Sequence, residues 1–136
     1  MRFVVDTNIL ISAFFWGGVP GQVLEVGKRS LSTLVTSEDL LAELLDVLER
    51  DKFSERLRFI NLTPTEFLRN YRELVDIVPV EPLPQPVCDD PDDDAILACA
   101  VSGEADYIVS GDDDLLRLVM YENIPIVKPA QFLSLI

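Results

Sequence analysis

Short β-branched and apolar runs alternate along this chain with helix-forming segments. RFVVD (2–6), STLVT (32–36), DIVPV (76–80), DYIVS (centred on 107–110) and PIVKP (125–129) read as strands, the last one edge-like. A helix is predicted over Asn8–Phe15, and a second opens at Pro20 after a Gly17-Gly18 loop. Thr36 and Asp39 make a capping box for a helix to about Arg50, and Thr63-Pro64-Thr65-Glu66 makes another for a helix to about Leu74. An Asp-rich helix stops at Gly103, a short one covers Asp114–Val119, and a last helix ends the chain. PLPQP (82–86) is a stiff connector rather than a boundary. Strands alternating with helices imply βαβ units, hence an α/β fold with helices on both faces of a mostly parallel sheet of about five strands. With 136 residues, 49% of them hydrophobic, the chain suits a single domain over 1–136. In such sheets ligands bind beyond the carboxyl ends of the strands.

That rule gives meaning to CDDPDDDAILACA, Cys88 to Ala100. A helix start accepts one or two acids, because its free N–H groups and dipole favour negative charge. Asp90 as cap and Pro91 at the first helical position use that allowance. Asp92, Asp93 and Asp94 then crowd the first turn with no basic neighbour, so something else must neutralise them.

Histidine is absent, which removes Ser-His-Asp, Cys-His and His-ligated zinc chemistry. Cys88 and Cys99 form neither a zinc spacing nor a disulfide framework; Cys99 reads as a buried thiol and Cys88 as loop-exposed, in a reducing cytoplasm. No run of 18 apolar residues is present, so no membrane span is expected. Asp6 and Asn8 interrupt the apolar N-terminus, which is read as mature structure rather than a signal peptide. The net charge of −13 opposes a nucleic-acid partner at first sight. The charge is segregated, however. No Lys or Arg occurs from Glu73 to Leu116, while six of the eleven basic residues fall between Arg50 and Arg72. That basic stretch is either a solvated helical face or a patch that contacts a phosphate backbone.

The topology gathers distant acids at one sheet edge. Asp6 ends the first strand, the 89–94 cluster opens the helix after the third, and Asp112 follows the fourth in SGDDDLL. Glu43 borders the apolar arc of the helix after the second strand, although Glu38 and Glu49 border its other side about as closely. Two carboxylates ~4 Å apart repel by roughly 4 kcal/mol at an effective dielectric near 20. Helix capping accounts for Asp89, Asp92, Asp94 and Asp113, but the like-charge cost sets Asp6, Asp93 and Asp112 apart as members of a common pocket. The natural counter-charge is a hard divalent ion, Mg²⁺ or Mn²⁺, with oxygen ligands. Such a site supports in-line displacement at phosphorus.

Taken together, VVDTNIL, an acid on the helix after the second strand, DDPDDDAILACA and ADYIVSGDDDLL resemble the PIN domain, in this order and over essentially the whole chain. Within it the chain is most similar to the VapC-related toxin components of toxin–antitoxin pairs. The resemblance implies a Mg²⁺- or Mn²⁺-dependent endoribonuclease with catalytic acids at Asp6, Glu43, Asp93 and Asp112, of which Asp6, Asp93 and Asp112 hold the metal. Asp93 is selected over Asp94 because it stands three residues before Ile96 of the I-x-A-x-A run. Asn8 would orient Asp6 or a water, Ser110 would stand where Thr is commoner, and Asp114 would add an outer acid. Arg56 and Arg58 are expected to hold substrate RNA. A protein antitoxin and a homodimer are implied as partners.

An enzyme family, a receiver domain and a non-catalytic module compete with this. A haloacid-dehalogenase-type phosphatase wants a second Asp where Asn8 stands. A receiver domain would use Lys128 and leave Glu43 and Asp112 unexplained. A non-catalytic acidic module would dock a basic partner and need no metal.

Overall fold

The computed structural model describes residues Met1–Ile136. Six strands form one sheet: β1 (Arg2–Val5), β2 (Thr33–Thr36), β3 (Asp76–Ile77), β4 (Tyr107–Val109), β5 (Met120–Tyr121) and β6 (Ile124–Val127). Their order is β3-β2-β1-β4-β6-β5, parallel throughout except for the β5/β6 pair. Eight helices accompany them: α1 (Thr7–Trp16), α2 (Gly18–Val26), α3 (Glu38–Leu48), α4 (Asp51–Arg58), α5 (Pro64–Arg72), α6 (Pro91–Ser102), α7 (Asp113–Leu116) and α8 (Pro129–Leu135).

Alternate residues of the strands feed two cores, which is why the runs are apolar without a break. Phe3 and Val5 of β1 and Val109 of β4 point into one core with α1 to α5 and α8. Val4 and Ile108 point into the other, beneath α6 and α7. The result is the expected three-layer α/β/α arrangement. Successive strands run leftward from β1 to β3, then the chain crosses back through α6 to β4 on the other side of β1. The point where strand order reverses, between the carboxyl ends of β1 and β4, is where α/β sheets leave a crevice.

Several boundaries differ from the expectations above, each for a local reason. Ser37 rather than Thr36 caps α3; its hydroxyl accepts the Leu40 N–H at 3.3 Å, while Thr36 completes β2. α2 starts at Gly18, two residues before Pro20, which the first turn tolerates because its N–H groups lack helical partners anyway. β3 ends at Ile77: the Val78 N–H still reaches Thr36 O at 3.0 Å, but Pro79 has no N–H to continue the ladder. β6 is interior because β5 pairs outside it. The two strands are joined by Glu122 and Asn123 at φ 48° and 64°, the conformation a two-residue hairpin demands.

Candidate active site

Asp6 leaves β1 and caps α1. It is 6% exposed. Ser110, fully buried at the end of β4, donates its hydroxyl to Asp6 Oδ2 at 2.8 Å. The same Ser110 oxygen accepts the Asp112 N–H at 3.0 Å, so one hydroxyl ties the ends of β1 and β4 together. Asp6 Oδ1 accepts the Asn8 N–H at 3.4 Å; the Asn8 side chain itself is exposed. Asp112 caps α7 by accepting the Asp114 N–H at 2.8 Å.

Across the crevice, the first turn of α6 sorts the Asp-rich stretch into separate roles. Asp90 caps the helix through the Asp92 N–H at 2.9 Å, as its position beside Pro91 predicts. Asp94 points back to the connector and accepts the N–H groups of Val87 and Cys88, the latter at 2.8 Å. Asp89 and Asp92 are exposed. Asp93 alone turns inward, 6% exposed, with no hydrogen bond or ion pair to its carboxylate. One oxygen each from Asp93, Asp112 and Asp114 lie within 4.8 Å of one another. Asp114, an outer acid in the sequence reading, thus stands in the tightest trio, while Asp6 adjoins it with both oxygens engaged.

The structure also selects among the acids of α3. Glu38 is exposed and pairs with Arg72 at 2.7 Å, and Glu49 is exposed. Glu43 is half-buried and faces the site. Burial, then the charges of Asp92, Asp6 and Asp90, push its carboxyl up to about 7, against a hydrogen bond from the Thr7 hydroxyl. Asp93 is pushed up to about 6 by burial first, then by Asp112, Asp90, Asp6 and Asp114. Burial also raises Asp6, opposed by the bonds from Ser110 and Asn8. None of the five ion pairs involves Asp6, Glu43, Asp93 or Asp112; only Asp114 meets a cation, Arg117 at 3.3 Å.

These residues fit a hard divalent cation. The donors are all carboxylate oxygens, brought together by α6 and the start of α7 with the α1 cap Asp6 beside them, and neither Asp93 nor Asp112 has a protein counter-charge. No nitrogen or thiolate ligand competes: Cys88 lies beside the cluster, but burial and Asp94 push its thiol up to about 11. It is half-buried rather than loop-exposed, while Cys99 is fully buried as expected.

Thr7 is the residue sequence reasoning missed. It is 2% exposed and lies where α1 approaches α3, and its hydroxyl opposes the upward push on the Glu43 carboxyl. Arg56 and Arg58 do not join the acids. They sit on α4 near the far end of α1, where the Arg56 guanidinium lies 5.0 Å from the centroid of the Trp16 ring.

Comparison with known proteins agrees with this geometry. A sequence profile of the PIN domain matches residues 2–114, which include all four acids. No curated protein matches the chain. In fold it is similar to VapBC2 from Rickettsia felis, solved bound to a DNA fragment from their promoter. The TM-score is 0.61, with 17% identity over 93% of this chain and 97% of that one. On the extent of the profile match, the chain belongs to the PIN-domain family.

Proposed function

We propose that the chain is a divalent-metal-dependent endoribonuclease of the VapC type, the toxin of a toxin–antitoxin pair. The observation that carries this reading is the convergence of Asp6, Glu43, Asp93, Asp112 and Asp114 at the β1/β4 crevice, where Arg117 beside the exposed Asp114 is the one cation in an ion pair with any of them. Asp93, Asp112 and Asp114 would hold Mg²⁺ or Mn²⁺, with Asp6 beside them. Once bound, the ion supplies polarisation of water and phosphodiester and offsets charge on the leaving oxygen. The residues do the rest. Ser110 holds the Asp6 carboxylate in one orientation and joins it to the backbone of Asp112. Glu43, its carboxyl held up to about 7, would take a proton from the attacking water. The acidic crevice repels phosphate until a cation is present, which reconciles a net charge of −13 with an RNA substrate.

The likeness to VapBC2 supports a protein antitoxin as regulator. Self-association into a homodimer belongs to the same reading. The test is cleavage of labelled RNA with Mn²⁺ or Mg²⁺, against EDTA and against Asp6→Asn and Asp93→Asn. Metal-dependent cleavage lost in both variants, with folds intact, is the expected result. Cleavage in EDTA, or an Asp113→Asn variant as damaged as Asp6→Asn, overturns it.

A further inference from the structure

We propose that the corner where the end of α1 meets α4 is a second RNA contact, stacking unpaired bases on Trp16 and Phe59 and holding their phosphates with Lys52, Arg56 and Arg58. It rests on the ribonuclease reading above and adds a site to it. Charge singles out the corner. Arg2, Lys28, Arg50, Arg72 and Arg117 are all tied in ion pairs. Of the six cations outside ion pairs, Lys52, Arg56 and Arg58 are on α4, where they outnumber its two acids, Asp51 and Glu55. In a chain of net charge −13, a surface with an excess of cations favours an anionic partner.

The aromatics define which polyanion. Trp16 is 56% exposed and Phe59 is 89% exposed, large rings left in water beside the free cations. Phe15 and Phe53 meet Trp16 at steep angles of 67° and 89°, so they prop the indole without stacking flat against it. Lys52 and Arg56 lie over the ring, at 5.8 and 5.0 Å from its centroid. A cavity of about 410 Å³ opens next to Phe59, walled by apolar side chains and by Arg56, a volume within the range of small-ligand pockets. Aromatic faces interleaved with cations are how single-stranded nucleic acid is held, since every base has a face to stack and every linkage a phosphate. A duplex keeps its bases stacked on one another and offers none.

The placement suits one strand spanning both sites. α1 runs from Asp6 at the acids to Trp16 at the corner, about 15 Å at 1.5 Å per residue. A strand with its scissile phosphate at the acids passes α4 a few nucleotides away.

Trp16 is the only tryptophan, so its fluorescence reports on this corner directly. The experiment titrates the protein in EDTA with a single-stranded oligoribonucleotide, a duplex of equal length, polyphosphate and an acidic apolar peptide. Cleavage of the same single strand in Mn²⁺ is followed in parallel. The expected result is saturable quenching by the single strand and weak or no quenching by the other three. Binding should fall with a log–log salt slope of about −2, from three phosphate contacts at roughly −0.7 each. Phe59→Ala should weaken binding about tenfold, the loss of one stacked base, without shifting the melting temperature. Cleavage without quenching overturns the corner and leaves the ribonuclease reading standing. Quenching without cleavage supports the corner and sinks the ribonuclease reading. Equal quenching by polyphosphate or by the peptide overturns base stacking and makes the corner a general anion or protein surface.

Discussion

Asp93→Asn should make the metal-free protein more stable at neutral pH, although it removes a buried side chain's charge and adds no contact. Asp93 is 6% exposed, takes no hydrogen bond, and is held up to about 6, against an ordinary carboxylate value near 3.8. Holding the carboxyl that far above its ordinary value corresponds to ~3 kcal/mol of penalty on the ionised form. The crevice opens to solvent, and screening reduces this to on the order of 1–2 kcal/mol. Asparagine is nearly the same size and carries no charge, so it relieves the penalty. In a domain of this length the gain is a rise on the order of 5 °C in melting temperature. The sign with pH follows from the direction of the shift. A carboxyl raised in the folded state contributes its stability fully below the unfolded value and loses it as pH climbs through the folded one. Metal-free wild-type protein should therefore melt progressively lower from pH 5 to pH 8, as Asp93 and then Glu43 ionise. Asp93→Asn should show a shallower fall. Asp113→Asn, at an exposed position of the same charge run, controls for the general repulsion of a chain at −13. The assay is a thermal melt in EDTA across that range. An Asp93→Asn protein less stable than wild type at pH 7, or no difference in slope between the Asp93 and Asp113 variants, refutes the convergent-charge reasoning.

Three further outcomes follow from single contacts. Glu43→Gln should lower RNA cleavage by roughly 10²–10⁴ while leaving the melt equal or higher, since it removes a proton acceptor and a repelled charge together. Ser110→Ala should cost about 1–3 kcal/mol by denaturant titration, because a buried Asp6 carboxylate and the Asp112 N–H both lose their partner. Gly103→Ala should cost about 1–3 kcal/mol too, since its Cβ would meet Val35 Cγ1 at 2.6 Å and Cys99 O at 3.0 Å against the central strands.

Features encoded by neighbours in sequence were legible. The Thr63/Glu66 capping box forms as read, with the Glu66 N–H at 3.1 Å from the Thr63 hydroxyl. Asp90 and Pro91 open α6 where their types place them, and the alternation of runs gives the parallel sheet. Features decided by distant contacts were not. Thr36 and Ser37 are equally good caps on paper, and only the requirement that β2 keep Thr36 passes the role to Ser37. The β5/β6 hairpin turns on Glu122 and Asn123, without the glycine that usually marks such a turn. α4 was hidden because its eight residues are mostly charged and its anchors, Phe53 and Leu57, are only two. At the site, three acids could be placed by their position after strands or at a helix start. Glu43 could not be separated from Glu38 and Glu49 until the packing of α3 turned one toward Asp6 and paired another with Arg72. Asp94 was read as a helix-capping acid, yet Asp90 caps α6 and Asp94 fastens the connector by accepting two backbone N–H groups.

Direct Mn²⁺ binding tests the central claim, that these carboxylates form one cation site. Free Mn²⁺ is followed by its electron paramagnetic resonance signal during titration of wild type, Asp93→Asn and Asp113→Asn at constant ionic strength, which separates binding from screening. The account predicts saturable binding to wild type, weakened at least tenfold by Asp93→Asn and unchanged by Asp113→Asn. Equal weak binding by all three proteins would contradict it.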